Sequence, residues 1–261
     1  MPGEVFGLGM DRFALFLLVF TRATAFVSVC PVFSARMVPP LVKAGLGLML
    51  ALAALPLVPA APAPTDHWLS LSLAILSEVA VGLGLGLFVS LVFFAAQVAG
   101  SLVGLQMGLA MAEFIDPSSG GHSVALAQFF YLWTLVLFLT LNGHHALIEG
   151  LVKSIGIIPL GHGVLTGELT LFVIHKFAEM FVIALKIVGP LIAILFTADA
   201  VMGLMSRLVP QMNVFMLGFP IKIFAGFMII MLTAPLINWL LQKTFSRLSA
   251  DYLTVIRYLG G

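Results

Sequence analysis

Charged residues and cysteine are scarce in this sequence of 261 residues. Asp, Glu, Lys and Arg make up only 9% of it, and the net charge is +1. The twelve Lys and Arg residues stand singly, whereas a surface that binds nucleic acid clusters them along the phosphates. We therefore expect no nucleic-acid partner. Cys30 is the only cysteine, which excludes an intrachain disulfide and a thiolate metal cage.

Motifs of enzymes and cofactor sites are also missing. The sequence has no HExxH, no CxxC and no GxSxG in a strand–turn–helix context. His144 and His145 are adjacent, so on a helix they point about 100° apart and cannot both bind one metal ion without a loop. The run GLGLG at 82–86 lacks the strand and the downstream acid of a dinucleotide site, which favours helix packing as its role. We expect no enzyme, metal or cofactor.

Apolar residues are abundant. They form 61% of the sequence, with 22 phenylalanines, and one soluble core cannot bury so many. A helix needs roughly 20 apolar residues to cross a bilayer. The apolar runs have that length and lie at about 13–35, 41–60, 68–112, 124–148, 170–203 and 214–241. They predict an all-α, polytopic protein of the integral-membrane type, built from six or so long, bent helices and hairpins.

Glu4 and Asp11 precede Arg12, unlike the basic start of a signal peptide, so we expect the first apolar segment to be retained.

The segment at 68–112 is about twice the length that a single span needs, so it must bend, fold back or project. The glycines of GLGLG are a plausible place for a break, and they also let helices approach one another. Small residues then recur at every fourth position, which predicts a stripe where another helix packs closely, either within the chain or from another subunit. The stripe consists of Ala96, Gly100, Gly104, Gly108 and Ala112.

Ionisable residues interrupt the apolar runs. Each costs about 2.5–3.5 kcal/mol at the centre of a bilayer, which predicts buried partners, aqueous cavities or a position outside the hydrocarbon. The predicted buried charges are Arg22, Glu78, Lys176, Glu179, Lys186 and Asp199. Lys176, Glu179 and Lys186 share one helical face, which allows a Lys–Glu pair. An ion-coupled secondary transporter would use the carboxylates as groups that change protonation, whereas a channel subunit would use the charges in pairs between subunits. The charges alone favour neither function.

Three strings in order resemble the FliR family, the export-gate subunits of flagellar type III secretion, whose injectisome relatives are homologous. They are AGSLVGLQMGLAMAEFIDPSSG at 99–120, LNGHHALIEGLVKSIGIIPLG at 141–161 and SRLVPQMNVFMLGFPIKIFAGF at 206–227. The resemblance extends over nearly the whole chain. Its flagellar rather than injectisome character depends on LNGHHALI and GFPIKI.

The resemblance implies a role without catalysis. It implies a single-copy subunit that joins FliP and FliQ protomers in a closed helical assembly, through which unfolded flagellar proteins pass. Residues 1–169 would form a FliP-like part and residues 170–261 a FliQ-like hairpin with a C-terminal tail. FlhB is the expected partner at the cytoplasmic entrance. The implied location is the bacterial inner membrane, in the flagellar basal body, with the assembly raised toward the periplasm.

The resemblance also implies two sites. A plug near 107–120 would fill the closed channel, and its residues are Met107, Met111, Phe114, Ile115, Asp116 and Pro117. A turn near 207–222 would face the cytoplasmic entrance, and its residues are Arg207, Pro210, Gln211, Asn213, Phe215, Pro220 and Lys222. The prolines there are expected to break helices, and Arg207 and Lys222 supply two positive charges with no acid between them. A plain interhelical loop and a plain hairpin turn are the alternatives.

Overall fold

The computed structural model describes residues 4–5, 8–34, 38–58, 68–109, 122–164, 166–208 and 214–260. Seven helices account for nearly all of these described residues. They are α1 (Met10–Val29), α2 (Pro40–Ala54), α3 (Trp68–Gln106), α4 (His122–Thr140), α5 (Gly143–Ile157), α6 (Gly167–Leu208) and α7 (Val214–Gly260). Two strands of two residues each, β1 (Glu4–Val5) and β2 (Leu8–Gly9), pair antiparallel. The prediction of an all-α protein is confirmed.

Five of the described helices are long and apolar enough to cross a membrane. They are α1, α2 with the 3-10 turn that follows it, α3, α6 and α7. Helices α4 and α5 meet at an angle of 73°, and they add a sixth span if this bent pair crosses the membrane as one broken span rather than forming a re-entrant loop. A helix satisfies its own backbone hydrogen bonds, which a lipid-exposed loop cannot do, so the polytopic membrane prediction is confirmed on length and composition.

The expected break at GLGLG is wrong. Helix α3 is continuous through residues 82–86, and its glycines serve close packing instead. A Cβ on Gly82 would lie 2.4 Å from the carbonyl oxygen of Arg22, and one on Gly86 would lie 3.0 Å from that of Phe26, both on α1. Gly84 has nothing within 4 Å of such a Cβ. Gly82 and Gly86 therefore contact α1, whereas Gly84 does not. The helix continues through these glycines because each of them keeps the backbone N–H that donates the helical hydrogen bond.

Helix ends also differ from the expected boundaries. Helix α3 ends at Gln106, before the end of its apolar segment, and Gly108 follows in a turn with a φ of 81°. Helix α7 continues to Gly260, so the expected C-terminal tail is helical. Pro220 does not end a helix but lies inside α7 together with Pro235. Long membrane helices tolerate proline, since neighbouring groups satisfy the carbonyl that it leaves free.

The chain divides into two compact units. The first contains Met1–Leu91, Leu141–Lys176 and Phe245–Gly261. Its core packs Val19 of α1 against Ala51 and Ala54 of α2 and Ile155 of α5.

The second unit contains Val92–Thr140 and Phe177–Thr244. A Cβ on Gly100 of α3 would lie 2.7 Å from the Cα of Ala127 on α4, so these helices touch through their backbones. The indole Nε1 of Trp133 donates to Asn238 Oδ1 over 2.9 Å, which links α4 to α7.

Candidate functional site

A fully buried ion pair lies inside the first unit. Arg22 on α1 and Glu78 on α3 are both 0% exposed. The guanidinium donates through Nε to Glu78 Oε2 and through Nη2 to Oε1, the second over 3.0 Å. This fork-to-fork arrangement is the strong, bidentate form of an ion pair.

The remaining donors and acceptors of this pair reach the end of α5. Arg22 Nη1 donates to the carbonyl oxygen of Ser154 over 2.9 Å, and Nη2 donates to that of Ile158 over 3.3 Å. Both are carbonyls at a helix C-terminus, where a cation is favourable. The backbone N–H of Gly161, whose φ is 79°, donates to Glu78 Oε1 over 2.7 Å. We name Arg22, Glu78 and these main-chain partners the buried clamp.

A second polar cluster lies in the second unit, on the hairpin of α6 and α7. Lys222 Nζ on α7 lies 2.8 Å from Asp199 Oδ1 on α6. Gln106, the last residue of α3, donates through Nε2 to Asp199 Oδ2 over 2.9 Å. The Lys222 side chain is 12% exposed and that of Asp199 is 37% exposed. We name Gln106, Asp199 and Lys222 the hairpin triad.

An open cavity of about 290 Å³ adjoins the hairpin triad. Two of the triad residues line it, together with one aromatic ring and several small or flexible side chains. Its lining residues are Asp199, Met202, Gly203, Ser206, Gly218, Phe219 and Lys222. A Cβ on Gly218 would lie 2.5 Å from Met202 Sδ, so the two helices meet closely at this end of the hairpin.

The structure describes the beginning of the predicted plug. Met107 is 0% exposed and packs on α7, where a Cβ on Gly226 would lie 2.6 Å from its sulfur. Gly108 lies under the ring of Phe219, whose Cδ1 would be 2.5 Å from a Cβ there. The other predicted plug residues lie outside the described residues, as does Ala112 of the stripe. These plug residues are Met111, Phe114, Ile115, Asp116 and Pro117.

The predicted stripe begins on α3, where Ala96, Gly100 and Gly104 are all buried. Gly108 lies beyond the end of that helix and therefore does not continue the stripe on it. The contact of Gly100 with Ala127 is within the chain.

The predicted entrance turn is divided between two helices. Arg207 is exposed in the last turn of α6, and Phe215, Pro220 and Lys222 belong to α7. Pro210, Gln211 and Asn213 lie outside the described residues. Lys222 is not a free turn charge, because Asp199, from the preceding helix, supplies its acid.

The remaining predicted charges are placed on α6. Lys176 Nζ lies 2.8 Å from Asp251 Oδ2 on α7, and Glu179 is half-buried. Lys186, also predicted to be a buried charge, is exposed within this chain, on the outward face of α6.

Sequence reasoning missed Gln106, Asp251 and the backbone of Ser154 and Gly161. Gln106 could have been noticed as a lone amide in an apolar run, and Asp251 as an acid in the assumed tail. The main-chain partners leave no signal in residue type.

The described residues offer little for covalent or metal chemistry. No group of three or more His, Cys, Asp or Glu residues among them is placed to hold a metal ion. Burial raises the pKa of the Cys30 thiol to about 12, which keeps the thiol protonated and unreactive at neutral pH. The two polar clusters instead tie helices together.

Comparisons with known proteins agree with the resemblance seen in the sequence. The family model described as bacterial export proteins, family 1, matches residues 13–248. The flagellar biosynthetic protein FliR of Bacillus subtilis is 34% identical over 242 residues, which cover 91% of this chain and 92% of that protein. FliR of Escherichia coli is 34% identical over 227 residues, 87% of each chain. FliR of Aquifex aeolicus is 28% identical over 242 residues, 93% of this chain and 92% of the relative.

Proposed function

This chain belongs to family 1 of the bacterial export proteins, the FliR family, and on that premise we propose that it is a channel-forming subunit of the flagellar protein export gate. It acts in flagellar biosynthesis and lies in a membrane. In the proposal it assembles with FliP and FliQ, and unfolded flagellar subunits pass along the axis of the assembly. The location would be the inner membrane, in the flagellar basal body, with the assembly raised toward the periplasm. The observation that carries the proposal is the match to FliR proteins over about nine-tenths of both chains.

The chemistry of the carboxylates supports a structural role over the alternative of an ion-coupled transporter. A transporter carboxylate must gain and lose a proton during each cycle. Glu78 instead accepts hydrogen bonds from Arg22 and from the Gly161 backbone, and Asp199 accepts from Gln106 and pairs with Lys222. These carboxylates are occupied in holding helices.

We further propose that the segment 107–120 is the plug of the closed channel. Support comes from its beginning, where Met107 packs on Gly226, and from the preceding residue, Gln106, which donates to Asp199. In the same proposal, residues 1–169 and 170–261 correspond to the FliP-like part and the FliQ-like hairpin.

The entrance role of the hairpin end is also a proposal. Arg207 is exposed and positively charged there, which supports a contact with a partner such as FlhB. Charge reversal by Arg207→Glu should leave the assembly with FliP and FliQ intact and reduce the FlhB that co-purifies. If the recovery of FlhB is unchanged, the end of the hairpin is a plain turn with no role in binding FlhB.

Co-expression tests the assembly itself. The tagged chain should be recovered with FliP and FliQ in a fixed ratio when all three are expressed, and it should aggregate in detergent when expressed alone. A transporter would be monodisperse and active alone. A chain that is monodisperse without partners and does not recover FliP or FliQ would refute the proposed function.

A further inference from the structure

Lys186 differs from two paired charges on the same helix, Lys176 and Asp199. Lys176 pairs with Asp251, and Asp199 pairs with Lys222. Lys186 lies between them in sequence and is exposed. No hydrogen bond or ion pair joins its side chain to any residue that the structure describes. Within the described part of the chain, Lys176 and Asp199 thus have partners and Lys186 has none.

The position of Lys186 makes this lack of a partner significant. Helix α6 has 42 residues, or about 63 Å at ~1.5 Å per residue, and Lys186 lies near its middle. Helix α6 is one of the candidate membrane spans. An ammonium in contact with hydrocarbon is costly unless it reaches the lipid headgroups or a counter-charge. Lipid is therefore a poor neighbour for this side chain.

The helix face around Lys186 is shaped for another helix. The residues that follow Lys186 on its face are small and exposed, and they are Gly189, Ala193, Thr197 and Ala200. A Cβ on Gly189 would meet nothing within 4 Å, so the backbone is open to close approach from outside the chain. Small side chains at helical spacing allow two helices to pack closely in a membrane. An aqueous lumen would instead favour polar residues at Gly189 and Ala193.

We propose that this face of α6, from Val182 to Ala200, docks an apolar helix of another export-apparatus subunit, and that the docked helix carries an aspartate or glutamate that pairs with Lys186. The inference rests on the proposed function. It adds which face of α6 the partner contacts and which charge the partner carries there. The carboxylate follows from charge complementarity, since the docked helix would otherwise bury the ammonium without a counter-charge.

Photo-crosslinking in the complete export complex tests the occupant without altering Lys186. A photoreactive phenylalanine analogue replaces Val182, which lies one helical turn before Lys186 and is 47% exposed. The matched control is Phe177, which is 50% exposed and lies on the opposite side of α6. The adduct from position 182 should be an apolar helix of another subunit that contains Asp or Glu, and it should differ from any adduct at position 177. Adducts only with lipid, with a second copy of the chain, or with a helix lacking an acid would overturn the proposal.

Charge reversal tests the ion pair. Lys186→Glu and Lys186→Met should each reduce recovery of the crosslinked partner at least about tenfold, because the partner's carboxylate is then buried unpaired. Changing that carboxylate to lysine should restore recovery with Lys186→Glu. The control Lys153→Glu, on an exposed pair of α5, should leave recovery unchanged. Normal recovery with Lys186→Glu contradicts the inference alone, whereas no recovery of FliP and FliQ by the unaltered chain contradicts the proposed function.

Discussion

Arg22 joins segments that are far apart in sequence. It lies 56 residues from Glu78 and 132 residues from Ser154, and its guanidinium contacts both. Taking the two ions out of water is costly, and the cost is offset only because nearly every donor and acceptor finds a partner. Removal of one member should therefore be far more harmful than removal of both.

The prediction for the buried clamp compares single and double substitutions. Arg22→Met should lower the free energy of unfolding by about 3–5 kcal/mol, because Glu78 is left buried and unpaired. Arg22→Met combined with Glu78→Gln should recover part of this loss, since the amide oxygen still accepts from Gly161. Denaturant unfolding of the purified complex with FliP and FliQ in detergent, followed by circular dichroism, measures the difference.

The control is Glu149→Gln, which removes an exposed pair with Lys153 and should cause no measurable change. If Arg22→Met behaves like this control, the clamp does not stabilise the fold.

Residue identity alone predicted that Arg22 and Glu78 need partners, because both interrupt apolar runs. It could not show that they partner each other, since the separation of two residues along the sequence does not give their distance in space when they lie on different helices. Nor could it distinguish Lys176 from Lys186, which have the same chemistry although, among the described residues, Lys176 has an acid as its partner and Lys186 does not.

At the scale of helices, the glycines of α3 give a test within one turn. Gly82→Ala should be destabilising, because the new Cβ would lie 2.4 Å from the Arg22 carbonyl oxygen. Gly84→Ala should be neutral or stabilising by up to about 1 kcal/mol, because its Cβ meets open space and alanine favours the helix. Gly82→Ala should therefore lower the melting temperature, whereas Gly84→Ala should leave it unchanged or raise it. Equal shifts would mean that α1 and α3 do not touch at Gly82.

The hairpin of α6 and α7 gives a second test at this scale. Asp199→Asn leaves Lys222, which is only 12% exposed, without its carboxylate. Because the pair is partly exposed, the expected loss of stability is about 1–2 kcal/mol, between the values for surface and buried pairs. The exchange Asp199→Lys with Lys222→Asp should restore much of it, as measured by thermal aggregation of the complex. A harmless Asp199→Asn would show that the pair is incidental.

Helix type and approximate number followed from the sequence because long apolar runs have few other stable forms in a membrane. Helix ends did not follow. Apolar character continues past Gln106 although the helix stops, and the charged residues after 241 continue α7 although they are less apolar. Hydrophobicity reports on the surroundings of a residue and does not mark where the backbone turns.

For the whole molecule, the proposed plug makes a prediction about sealing. Deletion of residues 113–116 should allow the export complex to form, because the contacts at Gly100 and Met107 remain. The idle complex should then conduct small ions, since a hydrophobic constriction excludes ions by dewetting and this deletion removes its bulk. Conductance in planar bilayers and growth on expression measure the effect.

The control replaces residues 113–116 with bulky apolar residues and should remain sealed. An assembled deletion complex that is tight to ions contradicts the plug. A complex that no longer assembles also contradicts it, since the segment would then be a packing element.

The buried clamp has a consequence for biosynthesis. A ribosome that adds about 5–20 residues per second needs roughly 3–11 s to advance from Arg22 to Glu78, 56 residues later. During that interval Arg22 in the nascent α1 lacks its partner acid, so we expect the insertion machinery to shelter it until α3 emerges. Nascent chains stalled before Glu78 should integrate poorly, and Arg22→Met should integrate well at the same length. Equal integration of both would mean that α1 enters the membrane without waiting for its partner.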